Sequence, residues 1–225
     1  YRLVKSFNVG ESKMDRHMKE SENNIEEDEE LQMIIYNQDN ENMNTSNINH
    51  YLQLLKMSYK EAVENLQGRV KCKYDYFNRQ SFKNLVRRNF KSINKKDRVP
   101  NYNKNRSKYS EGLVLHHVYE NKFKNLSYLR SIRSHPDFMY QQKENLVYCN
   151  LLEHLILHGL IAKETKNKLG IGGYKSLPMQ VENLYSKEKS NKLNDQEKIL
   201  LSAISLEYQE YKNVLSLTNK LINDR

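Results

Sequence analysis

Glycine and proline are scarce in this chain of 225 residues, at 7 and 3. A β-sandwich or barrel needs many tight turns, so the shortage favours helices. Cysteine is rarer still, with only Cys72 and Cys149. They make no CxxC pair, which leaves a thiolate zinc knuckle without support. Two scattered thiols in a lysine-rich chain read as free and reduced rather than as a disulfide. No run of about 18 apolar residues is present, so no transmembrane helix and no membrane partner are expected. No basic-then-apolar secretory signal opens the sequence as given. Together these absences point to a cytoplasmic protein of one or two domains.

Charge is present in excess and unevenly spread. The formal net charge is +9, yet the segment from Arg69 to Lys108 alone carries 14 Lys or Arg against Asp75 and Asp97. That segment is +12, so the remainder sums to −3. Aromatic residues interleave the charges: Tyr74, Tyr76, Phe77, Phe82, Phe90 and Tyr102, with Tyr109 just beyond. Dense positive charge attracts a phosphate backbone and releases its counterions. Rings among the charges can stack on unpaired bases. The plainer alternative is a solvated basic surface over core aromatics. If the segment binds nucleic acid, Arg87, Arg88, Lys95 and Lys96 are the candidate phosphate contacts.

Four regions follow along the chain. Residues 1–49 read as an acidic, Asn-rich segment, poorly ordered or dependent on a protein partner, with seven acids and no base from Glu20 to Glu30. Residues 50–110 read as a helical, basic, nucleic-acid-binding region. Ser58 and Glu61 make a capping box for a helix over Tyr59 to Gln67, which Gly68 should stop. A second helix is predicted over Ser81 to Phe90. Residues 111–163 carry two short strands, Gly112 to Val118 and Leu146 to Tyr148, separated by an insertion with a short helix at Leu126 to Arg133. A strongly helical run then extends from Leu151 to about Lys163, capped by Asn150 with Glu153 closing the box. Residues 164–225 hold a loop, in which Gly170 to Ser176 reads as a flexible turn, and one amphipathic helix from Asn194 or Asp195 to about Asn223. Its apolar stripe fits packing on the core, with a homodimer contact as the alternative.

The histidines carry the chemistry. His154 and His158 are one helical turn apart, so both rings leave one face and can share a metal ion. Leu155 stands where a zinc protease of the HExxH type has its glutamate. His116 and His117 end the first strand, where adjacent side chains point to opposite faces. One could hold a metal while the other meets a substrate. His135 and Glu120 are weaker candidates, Glu120 for orienting a ligand or a base. His17 and His50 have no evident company.

The order of these pieces, "GLVLHHV" followed by "ENLVYCNLLEHLILH", resembles the ββα-metal motif of the His-Asn-His (HNH) endonuclease superfamily. The site resembles the three-histidine site of the colicin-type DNases. The wider run "YDYF…SEGLVLHH…YQQKENLVYCNLLEHLILH" is similar to HNH endonucleases of Gram-positive bacteria and their mobile elements. The resemblance implies an α+β fold, mainly helical, with a small ββα-metal core. It implies that His116, His154 and His158 ligate one divalent ion (Zn, Ni, Mg or Mn), that His117 is the general base, and that Asn145 pins the loop between the strands or orients the base. Three imidazole ligands leave room for a phosphate oxygen. The expected function is hydrolysis of phosphodiester bonds in nucleic acid, with DNA favoured over RNA, in restriction, phage defence, mobile-element processing or toxin action. The alternative is a non-catalytic nucleic-acid-binding protein in which the same three histidines hold a structural zinc.

Overall fold

The computed structural model describes residues 45–87, 99–104, 106 and 108–223. The acidic run, Arg88, Lys95 and Lys96 lie outside the described residues. The chain divides into two units, Tyr1–Ser46 and Asn47–Arg225. The first retains only two described residues, so the fold below is that of the second.

Among the described residues there are eight α-helices and one two-stranded antiparallel sheet, an α+β architecture dominated by helix. The helices are α1 (Thr45–Lys56), α2 (Tyr59–Arg69), α3 (Arg79–Arg87), α4 (Leu129–Ser134), α5 (Leu151–Glu164), α6 (Ile171–Lys189), α7 (Asp195–Ile204) and α8 (Tyr208–Asn223). Strands β1 (Val114–His117) and β2 (Leu146–Cys149) pair with His116 opposite Val147 and His117 opposite Leu146. No helix among the described residues is long and apolar enough to cross a membrane.

The core is organised around α5. Its residues are buried on nearly every side, from Leu151 through Ala162, as expected of a helix that is apolar all round. It packs against α2, α6 and α8. Its start is fixed locally: Asn150 accepts from the backbone N–H groups of Leu152 and Glu153, and the Glu153 carboxylate accepts from the Asn150 N–H. Such caps contribute about 1 kcal/mol. Glu153 does more than cap. It is fully buried, forms a two-pronged ion pair with Arg69 (2.8 Å for Nη2–Oε2) and meets His50 Nε2 at 2.7 Å. Arg69 therefore braces α2 against α5, and one positive charge of the basic segment is held in this ion pair, with its side chain 40 % exposed.

A smaller core lies outside this one. Phe77, Phe82 and Ile132 are buried together, with Tyr76, Leu85, Val86, Val99 and Phe138 against them. Phe77 and Phe82 are thus core residues and not stacking platforms. Among the described residues, Tyr74 and Tyr102 are the exposed rings of the segment, with exposed Tyr109 just beyond it.

Several boundaries differ from the sequence expectations. Helix α2 runs through Gly68 and ends at Arg69, because the Val70 N–H still bonds the Leu66 carbonyl. The expected disorder up to residue 49 gives way at Thr45, where α1 starts; Ile48 is buried in the core. The single C-terminal helix is two. Ser205 takes a left-handed conformation (φ 54°), and the carbonyls exposed at the break accept from tyrosines: Ile204 from Tyr51 (2.6 Å) and Leu206 from Tyr185 (2.8 Å). The Gly170 to Ser176 stretch is not a flexible turn. It opens α6, a helix of 19 residues.

Candidate metal centre

β1 sends His116 toward α5 and His117 to the opposite side, following the strand's period of two. On α5, His154 and His158 stack one turn apart with ring centroids 4.8 Å from each other. His116 lies 5.1 Å from His154 and 5.0 Å from His158, centroid to centroid. One ring nitrogen of each lies within 4.8 Å of the others. The buried His116–His154–His158 group could therefore hold a metal ion.

The hydrogen bonds around His116 fix which nitrogen is available. The Tyr59 hydroxyl donates its one proton to the Val118 carbonyl (2.8 Å). Its oxygen then accepts from His116 Nε2–H at 2.9 Å. The lone pair is left on His116 Nδ1, which is buried and without a hydrogen-bond partner. Nδ1 of His158 is likewise buried and unpartnered. An orphaned buried nitrogen costs about 1–3 kcal/mol, so two in one group fit a ligand that the residues themselves do not supply. Burial, then the neighbouring imidazoles, hold His116 and His154 well below the ordinary histidine range, and burial pushes His158 down to about 4. All three are neutral at pH 7, the form that binds a metal.

His117 is buried beside the group. Gln141 donates its amide N–H to the Leu126 carbonyl (3.0 Å), so its oxygen accepts from His117 Nε2–H (3.0 Å). The His117 lone pair is thereby placed on Nδ1. Burial pushes this imidazole down to about 4, with the Gln141 bond acting in the other direction. Tyr76 covers it, ring to ring at 4.4 Å. Asn145 makes no hydrogen bond to His117. Its side-chain N–H donates to the Met139 carbonyl (2.8 Å), tying down the chain that enters β2. Gln141 performs the orienting role, and nothing in the sequence separates it from Gln142.

Glu120 is the second residue that sequence reasoning undervalued. It sits in a 3₁₀ turn after β1, at Val118–Asn121, with its side chain only 15 % exposed. Its Oε2 is 3.8 Å from His116 Nδ1 and 3.7 Å from His158 Nε2, and its Oε1 is 3.9 Å from His117 Nδ1. Burial pushes its carboxyl up to about 7, against the Leu126 backbone. The signal was present as an i,i+3 and i,i+4 relation to the histidine pair, but a strand of that length would have sent it elsewhere. The 3₁₀ turn folds it back.

A cavity of about 170 Å³ opens beside the group, lined by Glu120, Lys124, Asn125, His158 and the segment Leu169 to Gly173. Gly170 (φ +76°) and Gly173 let α6 approach this closely. A Cβ on Gly173 would stand 2.4 Å from His158 Nε2.

Of the other candidates, Arg87 is exposed at the end of α3, and no contact joins it to the histidines. Arg106 lies over the Tyr102 ring at 4.0 Å and the Tyr76 ring at 5.0 Å, next to His117. His135 packs on Phe123, ring centroids 3.9 Å apart, away from the group. Both thiols are free, and burial pushes Cys72 up to about 12 and Cys149 well above the usual thiol range. No protein-family model, no curated protein and no solved structure matches this chain.

Proposed function

We propose that the chain is a metal-dependent HNH-type endonuclease that hydrolyses phosphodiester bonds in DNA at a ββα-metal core over residues 111–163. One observation carries this reading. Two buried imidazole nitrogens, Nδ1 of His116 and Nδ1 of His158, lack partners inside a three-histidine group, while a fourth histidine beside it keeps its own lone pair free.

His116, His154 and His158 would hold the ion. When bound, a divalent ion supplies Lewis-acid stabilisation of the charge that grows on the phosphate oxygens. The rest of the chemistry falls to the chain's residues. His117 takes a proton from the attacking water at Nδ1, because its Nε2–H is committed to Gln141. The proton arrives facing Glu120 Oε1, 3.9 Å away, and a carboxylate there stabilises the imidazolium, as in other carboxylate–histidine pairs. Asn145 holds the loop that carries Met139 and Gln141. The exposed side of the basic segment, with Arg87, Arg88, Lys95 and Lys96 as phosphate contacts, holds the backbone without reading sequence.

The deep burial of His116 and His117 (1 % and 3 % exposed) favours a second reading. In it the three histidines hold a structural zinc and the basic segment alone supplies a nucleic-acid-binding function. Incubating the purified chain with supercoiled plasmid and with single-stranded RNA, across Mg, Mn, Ni and Zn and with chelator, separates the two. Chelator-sensitive nicking supports the enzyme. Binding without cleavage under every metal supports the structural site.

A further inference from the structure

Glu120 is a buried carboxylate that lacks a cation. Its side chain is 15 % exposed, and among the described residues its only ion-pair contacts are to His116, His117 and His158. Those imidazoles are neutral when they offer lone pairs, so they give the carboxylate nothing to balance its charge. Lys124 lines the same cavity but forms no ion pair with Glu120. Ionising the Glu120 carboxyl there without a counter-charge costs several kcal/mol. Its Oε2 lies beside the unpartnered Nδ1 of His116 (3.8 Å) and beside Nε2 of His158 (3.7 Å). One divalent ion between these atoms would give Glu120 its cation and His116 Nδ1 its partner.

We propose that Glu120 is the fourth protein ligand of this centre, through Oε2, making it a three-histidine, one-carboxylate site. The inference rests on the metal-binding reading above and goes beyond it. The assignment divides the two carboxylate oxygens between two tasks: Oε2 lies on the side of His116 and His158, and Oε1 on the side of His117. Glu120 is thus the link between the metal group and the proposed base. It also narrows the ion. Four protein donors fill a tetrahedral zinc site and leave it closed, in the manner of structural zinc. An ion that takes five or six ligands, such as Mn(II), Co(II) or Ni(II), keeps positions for substrate.

The test uses metal alone, on the full metal-free chain. Co(II) is titrated into wild type, Glu120→Gln, His158→Ala and the exposed control Glu111→Gln, with affinity from calorimetry and coordination from the visible absorption of the bound ion. Glu120→Gln should weaken binding by about 10- to 100-fold or more and change the position and intensity of the absorption bands. Glu111→Gln should match wild type in both. Should Glu120→Gln fail to fold by circular dichroism, Glu120→Asp carries the test. It keeps the charge but shortens the reach, and it should weaken binding and shift the bands. If Glu120→Gln, or Glu120→Asp in its place, matches wild type in affinity and spectrum while His158→Ala loses the ion, Glu120 is not a ligand and the three-histidine centre stands alone. If wild type binds no ion, the centre itself is wrong and the assignment falls with it.

Discussion

Two glycines one residue apart in the first turn of α6 give opposite expectations for the same substitution. Glycine to alanine in a helix stabilises by about 0.5–1 kcal/mol. At Gly172 nothing lies within 4 Å of an added Cβ, so Gly172→Ala should realise that gain. The transition should rise by about 1–4 °C in a domain of this size. At Gly173 the added Cβ would stand 2.4, 2.5 and 2.6 Å from Nε2, Cε1 and Cδ2 of His158. Carbon contacts settle near about 3.5–4.0 Å, so the overlap is about 1 Å across one edge of the ring. Relief requires the imidazole to turn, and His116 and His154 flank it at centroid distances of 5.0 and 4.8 Å. Overpacking of this kind costs about 1–3 kcal/mol, which outweighs the helix gain. Gly173→Ala should therefore melt below wild type and lose metal affinity by at least about 10-fold, whereas Gly172→Ala should keep it. Differential scanning calorimetry and zinc titration of both variants read the two effects. Wild-type affinity in Gly173→Ala would mean that His158 is not a ligand or is not held where α6 confines it.

Three further outcomes rest on the burial, the ion pairs and the charge described above. Burial keeps His117 and His158 neutral down to about 4, whereas unfolded histidine takes its proton near 6.5. A folded pKa below the unfolded one gives stability that is complete above pH 6.5 and lost as pH falls toward 4, about 3 kcal/mol for each of these two groups. Glu120, pushed up to about 7, opposes this between about 4.5 and 7, but it is one group against several histidines. Metal-free protein should thus lose urea resistance steeply from pH 6.5 to 4.5, and a flat profile would contradict the burial. Glu153→Ala removes a cap, worth about 1 kcal/mol, and charge-assisted bonds worth about 1.5–3 kcal/mol to an arginine that stays 40 % exposed, so chemical unfolding should show a loss of about 2–4 kcal/mol; a loss under about 1 kcal/mol, the worth of a cap alone, would contradict the brace. Replacing Arg87, Arg88, Lys95 and Lys96 together by glutamine should flatten the dependence of duplex affinity on salt, by about 0.9 in log–log slope for each phosphate that is no longer neutralised. An unchanged slope in fluorescence anisotropy would remove these four from the interface.

What was legible in the sequence is what short-range rules govern. The capping boxes at Ser58 and Asn150 each place a helix start correctly, because cap and box lie within three residues, and of the two caps left open for the last helix Asn194 is the one used. The two strands follow from short apolar runs, and the shared face of His154 and His158 from the helical period. What escaped depends on partners distant in sequence. The glycines of α6 look like a turn until His158 is seen beneath them. Gln141 gains its role from a 3₁₀ turn that brings it to His117. Of the two roles expected of Asn145, its bond to the Met139 carbonyl fits pinning the loop between the strands, and Gln141 takes the other. Glu120 resembled surface charge because its burial comes from a turn after β1 and from α6, 50 residues on. Arg69 and Glu153, 84 positions apart, gave no sign of each other.

The nuclease proposal is tested most directly by the initial rate of plasmid nicking in His117→Ala, beside its metal content. His117 contacts Gln141, Tyr76 and Glu120 but lies outside the three-histidine group. As a general base it should contribute roughly 10²–10⁴-fold to the rate and little to the ion. His117→Ala should keep one equivalent of bound metal and lose most of the cleavage, whereas His116→Ala should lose both. Cleavage by metal-loaded His117→Ala at the wild-type rate would contradict its role as the base. No cleavage by wild type with any of the four metals would leave the structural-zinc reading in its place.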